Sequence, residues 1–438
     1  NRPLEEKMTL FWHNHFSTSE TKVRDYRKLL LQNQTLRKNA TSDFKTILIS
    51  IAQDPAMLSF LDAGKNVKGA PNENFAREIM ELFSMGVGNY SEKDIREAAR
   101  AFTGWNSENL KFIVLKDLHD KDEKTFLSKT GKFNGLEIID IILEQPITAR
   151  FLVTKLYKEF VREELDPLVV EKLSNEFFLS DYKLKPLLKR IFLSRDFYSV
   201  ESMGTHVKSP VELVINSYKK LGLKEIPGIP DFNESTSNMG QELFFPPTVA
   251  GWAGGKSWIT PGLLMERGNF IYSTLFPDVG FIPGDRFAPD PKVRIMHNAL
   301  AEGKDVTTAT QATQGGNNMM AESNMMADRD EDFNTRLGIY RGWQMAIEKV
   351  KPIPRSTPQI NLTKMILDAN IDSSEEAVDF LIKKFLSVPV DAETRLKLIS
   401  FFTYEIGTEK ISEATTYMEH SLRVLLHIIL SQPEYQLG

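Results

Sequence analysis

At 438 residues, 41% apolar and 26% charged, the chain has the make-up of a globular protein able to bury a large core without disulfides or a structural metal. It has no cysteine, which excludes thiolate nucleophiles, zinc ribbons, iron–sulfur clusters and disulfide frameworks. A net charge of −5 without a basic, aromatic-interleaved stripe argues against a nucleic-acid partner, and no apolar run is long enough to span a membrane as a helix. The chain opens on Asn1 rather than methionine, which fits a processed or trimmed product.

The first element reads as a helix. In "PLEEKMTLFWHNHF", residues Leu4, Met8, Phe11, Trp12, His15 and Phe16 recur at the spacing of one helix face. Pro3, with Glu5 and Glu6 in the first turn, suits a helix N-terminus. On a strand, His13 and His15 would point to one side and chelate together. A helix turns about 100° per residue and sets them about 200° apart, so they do not share an ion. His15 falls inside the apolar stripe, where an imidazole needs a hydrogen-bond partner or a metal. His13 falls off the stripe, as an exposed or cleft-lining residue that is a candidate for ligand binding.

"NENFAREIMELFSMG" repeats the helical pattern with Phe75, Ile79, Leu82 and Phe83, ending at Gly86. "YSEKDIREAARAFTG" follows, with Ser91 and Asp94 approximating a capping box and Gly104 as the stop, so the two helices should pack as a hairpin. Asn74, Glu78 and Glu81 share one side of the first of them. Glu78 borders its stripe and is placed either to ligate a metal beside His15 or to join an ionic network with Arg77 or Arg100, two arginines that are also candidates for ligand binding. Residues 111–130 read as a β-hairpin, an apolar β-branched run and a second short run about a charged turn.

Helix resumes through "GLEIIDIILEQPITARFLVTKLYKEFV". Its "IIDIILEQPITARF" is echoed by "LLKRIFLSRDFYS" (187–199) and "LLHIILSQPEYQL" (425–437), recurrent helix–cap units of irregular spacing rather than a solenoid. Residues 239–262 form a Trp/Gly-rich loop. The stretch 301–335, polar and without period, marks a flexible insertion over 291–335. The expected organisation is a main helical domain over 1–290, that insertion, and a C-terminal helical part over 336–438 packing on the main domain.

Three groups of residues carry candidate chemistry. His119 and Asp120 sit together on the charged turn, where Asp120 forms an Asx turn or both serve a metal. Convergence of His15, Glu78 and His119, with Asp120 beside them, would give two imidazoles and a carboxylate an open position on one divalent transition metal. Trp252 and Trp258 on glycine-rich backbone either plug the core or present flat faces to a sugar, with Lys256, Arg267 and Asn269 as polar contacts. "DRDEDFN" lacks the glycine and distal glutamate of an EF-hand loop. No P-loop, dinucleotide fingerprint, nucleophile elbow or H-E-x-x-H motif occurs.

Taken in order, "LFWHNHFSTSETKV", "NENFAREIMELFSMGVGNYSEKDIREAARAFTGW", "LHDKDEKTFLSKTG", "KSPVELV", "MGQELFFPPTVAGWAGGKSWI" and "LLHIILSQPEYQL" resemble the bacterial family DUF1800. The resemblance implies a mainly helical protein exported to the periplasm, outer surface or medium, with a leader and a further stretch ahead of the "FWHNHF" helix. It also implies an exported partner of the alkaline phosphatase/sulfatase-like group, and it hands over no catalytic residues. Two readings of function follow. One is an accessory protein that binds a ligand, a polysaccharide or that partner. The other is a metal-dependent, hydrolytic enzyme centred on His15, Glu78 and His119. The expected fold is mainly α, a multi-helix orthogonal or bundle-like array with a small β-hairpin.

Overall fold

The structure, a computed structural model, describes residues 2–277 and 356–438. The insertion predicted at 291–335, and the boundary that follows it, lie outside the described residues. The chain forms two compact units, one of 1–226, 230–275 and 359–438, the other of 227–229 and 276–358. In the second, the amides of Gly228 and Ile229 both donate to the carbonyl of Ser356.

The first unit is helical. In chain order it contains α1 (Pro3–His15), α2 (Glu20–Val23), α3 (Tyr26–Asn39), α4 (Phe44–Ala52), α5 (Pro55–Phe60), α6 (Asn74–Glu78), α7 (Glu92–Ala101), α8 (Gly135–Leu143), α9 (Pro146–Phe160), α10 (Pro167–Leu179) and α11 (Leu184–Phe192). There follow α12 (Pro210–Lys220), α13 (Phe232–Asn238), α14 (Pro261–Leu275), α15 (Leu362–Asp368), α16 (Ser374–Phe385), α17 (Ala392–Ile406), α18 (Ile411–Ala414), α19 (Met418–Leu430) and α20 (Pro433–Gln436). The fold is mainly α, and no helix among the described residues is long and apolar enough to cross a membrane.

The apolar face of α1 does what its spacing requires. Met8, Phe11, Trp12 and Phe16 are buried, and the Trp12 indole donates to the Ala40 carbonyl at 3.0 Å. Phe16 packs edge-on to Phe83 and stacks with Phe44. The helix expected to run through Phe83 changes character after Glu78: Ile79–Ser84 is π-helical, closed by the Met85 amide on the Met80 carbonyl and the Ser84 hydroxyl on the Ile79 carbonyl. Such wide turns free carbonyls for other partners. Ser91 and Asp94 form the predicted capping box of α7.

The 111–130 region differs from expectation. Its two runs do not pair with each other. β1 (Trp105–Glu108) pairs antiparallel with β2 (Lys111–Val114), and β3 (Lys124–Phe126) with β4 (Lys129–Gly131). Each ribbon closes on a two-residue turn with both residues at positive φ, Asn109–Leu110 and Leu127–Ser128. That turn geometry matches strand twist, so each run pairs with its nearest neighbour.

Proline sets several helix starts. The segment predicted as helical through 135–161 breaks at Gln145, and Pro146 opens α9. Gln432 and Pro433 repeat this between α19 and α20, so two of the three echoed phrases are the same helix–Pro–helix joint. Ser209, Pro210 and Glu212 start α12 with a capping box.

Candidate functional site

The "FWHNHF" helix is covered on both sides. Opposite its apolar face lies the Trp/Gly loop, whose Trp252 backbone is gripped by the Asn14 side chain. His13, expected at the surface or in a cleft, is only 3% exposed. Its ring lies 4.8 Å from that of Phe244 and 5.6 Å from that of Trp252. Its Nε2 accepts from the Phe244 amide, which leaves the proton of the neutral ring on Nδ1, a buried atom without a hydrogen-bond partner among the described residues. Burial lowers its pKa to about 4. Helical phase alone could not foresee this, because the covering loop comes from far along the chain.

His15 points into the core, as its place in the stripe predicts. Its Nε2 faces the Phe83 carbonyl at 3.0 Å and therefore carries the proton. The bare Nδ1 accepts from Lys155 Nζ at 3.1 Å, and Lys155 also donates to the Leu82 carbonyl. The π-turn supplies both carbonyls. Burial first, then the Lys155 charge, hold the imidazole neutral against the pull of the Phe83 carbonyl. Burial lowers Lys155 to about 8.

Lys155 is one turn from Glu159 on α9, and Lys7 is two turns from His15 on α1. The ammonium of Lys7 lies over Phe160 while His15 sits near Phe151, so the two helices run antiparallel along one polar seam. At its far end Glu159, His206 and Glu212 offer ligand atoms all within 4.8 Å of one another. Glu212 Oε2 accepts from His206 Nε2 at 3.2 Å and from the Ser209 amide at 2.9 Å, while Oε1 meets Lys7 Nζ at 2.9 Å. Burial opposes ionisation of Glu212, but His206 and Lys7 outweigh it and hold the carboxyl well below its ordinary range. Burial likewise opposes charging of His206, and Glu212 overrides it, raising the imidazole. Glu159 is raised, by burial and then by the Glu212 charge.

None of these three residues stood out in the sequence, because Glu159 sits in an ordinary charged helix phrase and His206 in a loop. One signal was present: the Ser209–Glu212 capping box fixes Glu212 in the first turn of a helix with His206 just ahead of it.

The sequence-singled residues lie elsewhere. Among the described residues, His15, Glu78 and His119 do not gather as a ligand set. Glu78 is raised by burial and by the neighbouring Glu81. Arg77 pairs with Glu92 and Glu73, and Arg100 with Glu97 and Asp120. His119 Nδ1 faces the Thr103 carbonyl at 2.9 Å. Asp120 makes the Asx turn to the Asp122 amide and is buried against Arg100.

Trp252 and Trp258 are 5% and 6% exposed and pack with Val207, so their faces are closed to a sugar. Lys256 and Asn269 face solvent, whereas Arg267 is buried and bonds Trp258, Lys208 and Gln436. The polar contacts expected around the two indoles thus diverge.

A further concavity of about 570 Å³ opens among α9, α10 and α11. Leu173, Phe177, Leu187 and Ile191 form its buried apolar floor, and Leu193, 70% exposed, lines it as well. Lys172, Lys189 and Arg190 border it against a single carboxylate, Glu176, which Arg190 binds.

The family model described as a protein of unknown function (DUF1800) matches residues 1–437. Comparison with curated proteins and with solved structures finds no match. Matched over essentially its whole length, the chain belongs to the DUF1800 family.

Proposed function

We propose that this protein is a non-catalytic binding protein that seats an acidic, apolar-faced segment of a partner protein in the groove between α10 and α11. The observation that carries this reading is the groove itself, with an apolar floor, an exposed Leu193 and an excess of cationic side chains at its border. An apolar strip flanked by carboxylates complements both features. Leu168 and Leu179, 75% and 81% exposed, adjoin the lining residues Val169 and Ser180 in sequence and extend the apolar surface of α10. The family resemblance supports an exported location and a partner among exported alkaline phosphatase/sulfatase-like proteins.

The test uses a fluorescent amphipathic peptide with leucines at helical spacing and glutamates on its other face, titrated by anisotropy against the whole chain. Leu193→Glu and Lys189→Glu, both at exposed positions, should each weaken binding at least tenfold while circular dichroism and thermal unfolding stay as in the wild type. A peptide with lysines in place of the glutamates should not bind. If the acidic peptide fails to bind, or binds both variants as it binds the wild type, the proposal is wrong.

A further inference from the structure

We infer that Glu159, His206 and Glu212 form a binding site for one divalent transition-metal ion, separate from the groove. Two observations support it. The first is the donor set: one imidazole and two carboxylates, contributed by α9, the loop before α12 and the first turn of α12, with ligand atoms within 4.8 Å of one another. Zinc-type ions hold such donors at about 2.1 Å, which needs donor separations of roughly 3.4 Å in a tetrahedron. His206 Nε2 and Glu212 Oε2 already stand 3.2 Å apart, with Glu212 fixed by its capping bond to the Ser209 amide, so the contraction falls on the Glu159 side chain.

The second is that Glu159 lacks a partner. Among the described residues no hydrogen bond or ion pair ends on its carboxylate, although it is partly buried, and the Glu212 charge it faces is offset only in part by the more weakly felt charges of His206 and Lys7. Two carboxylates turned toward each other in a partly desolvated space favour a shared cation.

The neighbouring ammonium opposes the ion. Lys7 reaches Glu212 from α1 at 2.9 Å and neutralises part of the cluster. An incoming ion competes with it for Glu212 Oε1. His206 bonds Glu212 through Nε2, and ligation by that nitrogen would require it to give up that proton. The mixed nitrogen and oxygen donors favour zinc, manganese or ferrous iron over calcium or magnesium, which take oxygen alone. Three protein ligands leave a position open to water or a ligand oxygen.

The experiment is a titration of the whole chain, purified without a histidine tag and stripped with chelator, using Zn²⁺ and Mn²⁺ alone against a fluorescent chelator. One equivalent should bind. Glu159→Gln, which keeps the side-chain shape, and His206→Gln should each weaken affinity at least tenfold. Lys7→Met should strengthen it by removing the competing cation, an outcome that loss of folding would not produce. Thermal melts of the stripped variants confirm that each is folded. Absence of binding by the wild type, or binding that survives Glu159→Gln and His206→Gln but is lost in His119→Gln or His15→Gln, would overturn the assignment.

Discussion

The Asn14 side-chain amide clasps the backbone of Trp252 at both ends, accepting from its N–H at 2.8 Å and donating to its carbonyl at 3.3 Å. Gly251 makes the approach possible. Its φ is +80°, and a Cβ there would meet Asn14 Oδ1 at 2.2 Å and the Asn14 carbonyl oxygen at 2.5 Å. The two most recognisable phrases of the sequence are therefore one joint. Asn14→Ala should cost about 1–3 kcal/mol, because it strands an amide and a carbonyl. Gly251→Ala should cost more, since left-handed backbone alone adds about 1–2 kcal/mol and the overlap adds to it. Urea unfolding checks both, and two variants as stable as the wild type would refute the joint.

Acid should destabilise the protein earlier than its carboxylates alone require. His13 is lowered by burial to about 4, and His15 is held well below 6.5 by burial and by Lys155. Both folded pKa values lie below the unfolded one, so between about 6.5 and 4 the unfolded chain binds protons that the folded chain does not. Stability is therefore present above 6.5 and is lost as pH falls through that window, by about 3 kcal/mol for His13 if its full shift is expressed. Unfolding free energies measured from pH 7 to 4 should fall less steeply for His13→Gln than for the wild type. Parallel curves would show that His13 does not contribute.

Local pattern told most of the fold and little of the site. The stripe of α1, the capping box of α7 and the glycine stops are short-range signals, read from spacing. The phase of α1 correctly separated His13 from His15. It could not show that the loop around Trp252 would bury His13, because that packing spans most of the chain. The π-turn at Ile79–Ser84 was also invisible, since an apolar stripe constrains helicity but not the closing of each turn. His206 and Glu212 are near neighbours in the chain, but Glu159 comes from α9, and only tertiary packing brings it to them. In the 111–130 region the strand residues were recognised and their pairing was not. That choice belongs to the positive-φ turns at Asn109–Leu110 and Leu127–Ser128, whose residues carry no glycine signature.

Asp120 is the hub of the second ribbon. Its carboxylate accepts from Arg100 Nε at 2.8 Å and from the Asp122 amide at 2.9 Å, and Lys124 donates to its carbonyl at 2.7 Å. Its pKa is lowered despite burial, because Arg100 and the Asp122 amide favour the charged form. Asp120→Asn removes the charge from a covered ion pair and should cost about 1–3 kcal/mol. Hydrogen exchange should quicken at Thr125 and Leu127 of the same ribbon, whose amides donate to Glu97 and Asp94 on α7. Zinc affinity should be unchanged. A variant that loses zinc binding while keeping its stability would return the metal to the His119–Asp120 turn.

Arg267 is a buried cation whose hydrogen-bond acceptors are all neutral. Its guanidinium donates to the Trp258 carbonyl, the Lys208 carbonyl and Gln436 Oε1, and burial lowers its pKa to about 10. Lys208 in turn donates to the Tyr435 carbonyl, so the C-terminal turn is stitched to α14 and to the chain before α12 through two basic side chains. Keeping the charge while losing the fork should be worse than losing both. Arg267→Lys retains a buried ammonium that cannot reach all three acceptors, and should cost about 3–5 kcal/mol. Arg267→Met removes the charge and fills similar volume, leaving only unpaired acceptors, at about 1–3 kcal/mol. Urea unfolding ranks the two, and limited proteolysis should cut the Arg267→Lys protein first near Tyr435. The opposite ranking would mean that hydrogen bonds to the cation outweigh the cost of burying it.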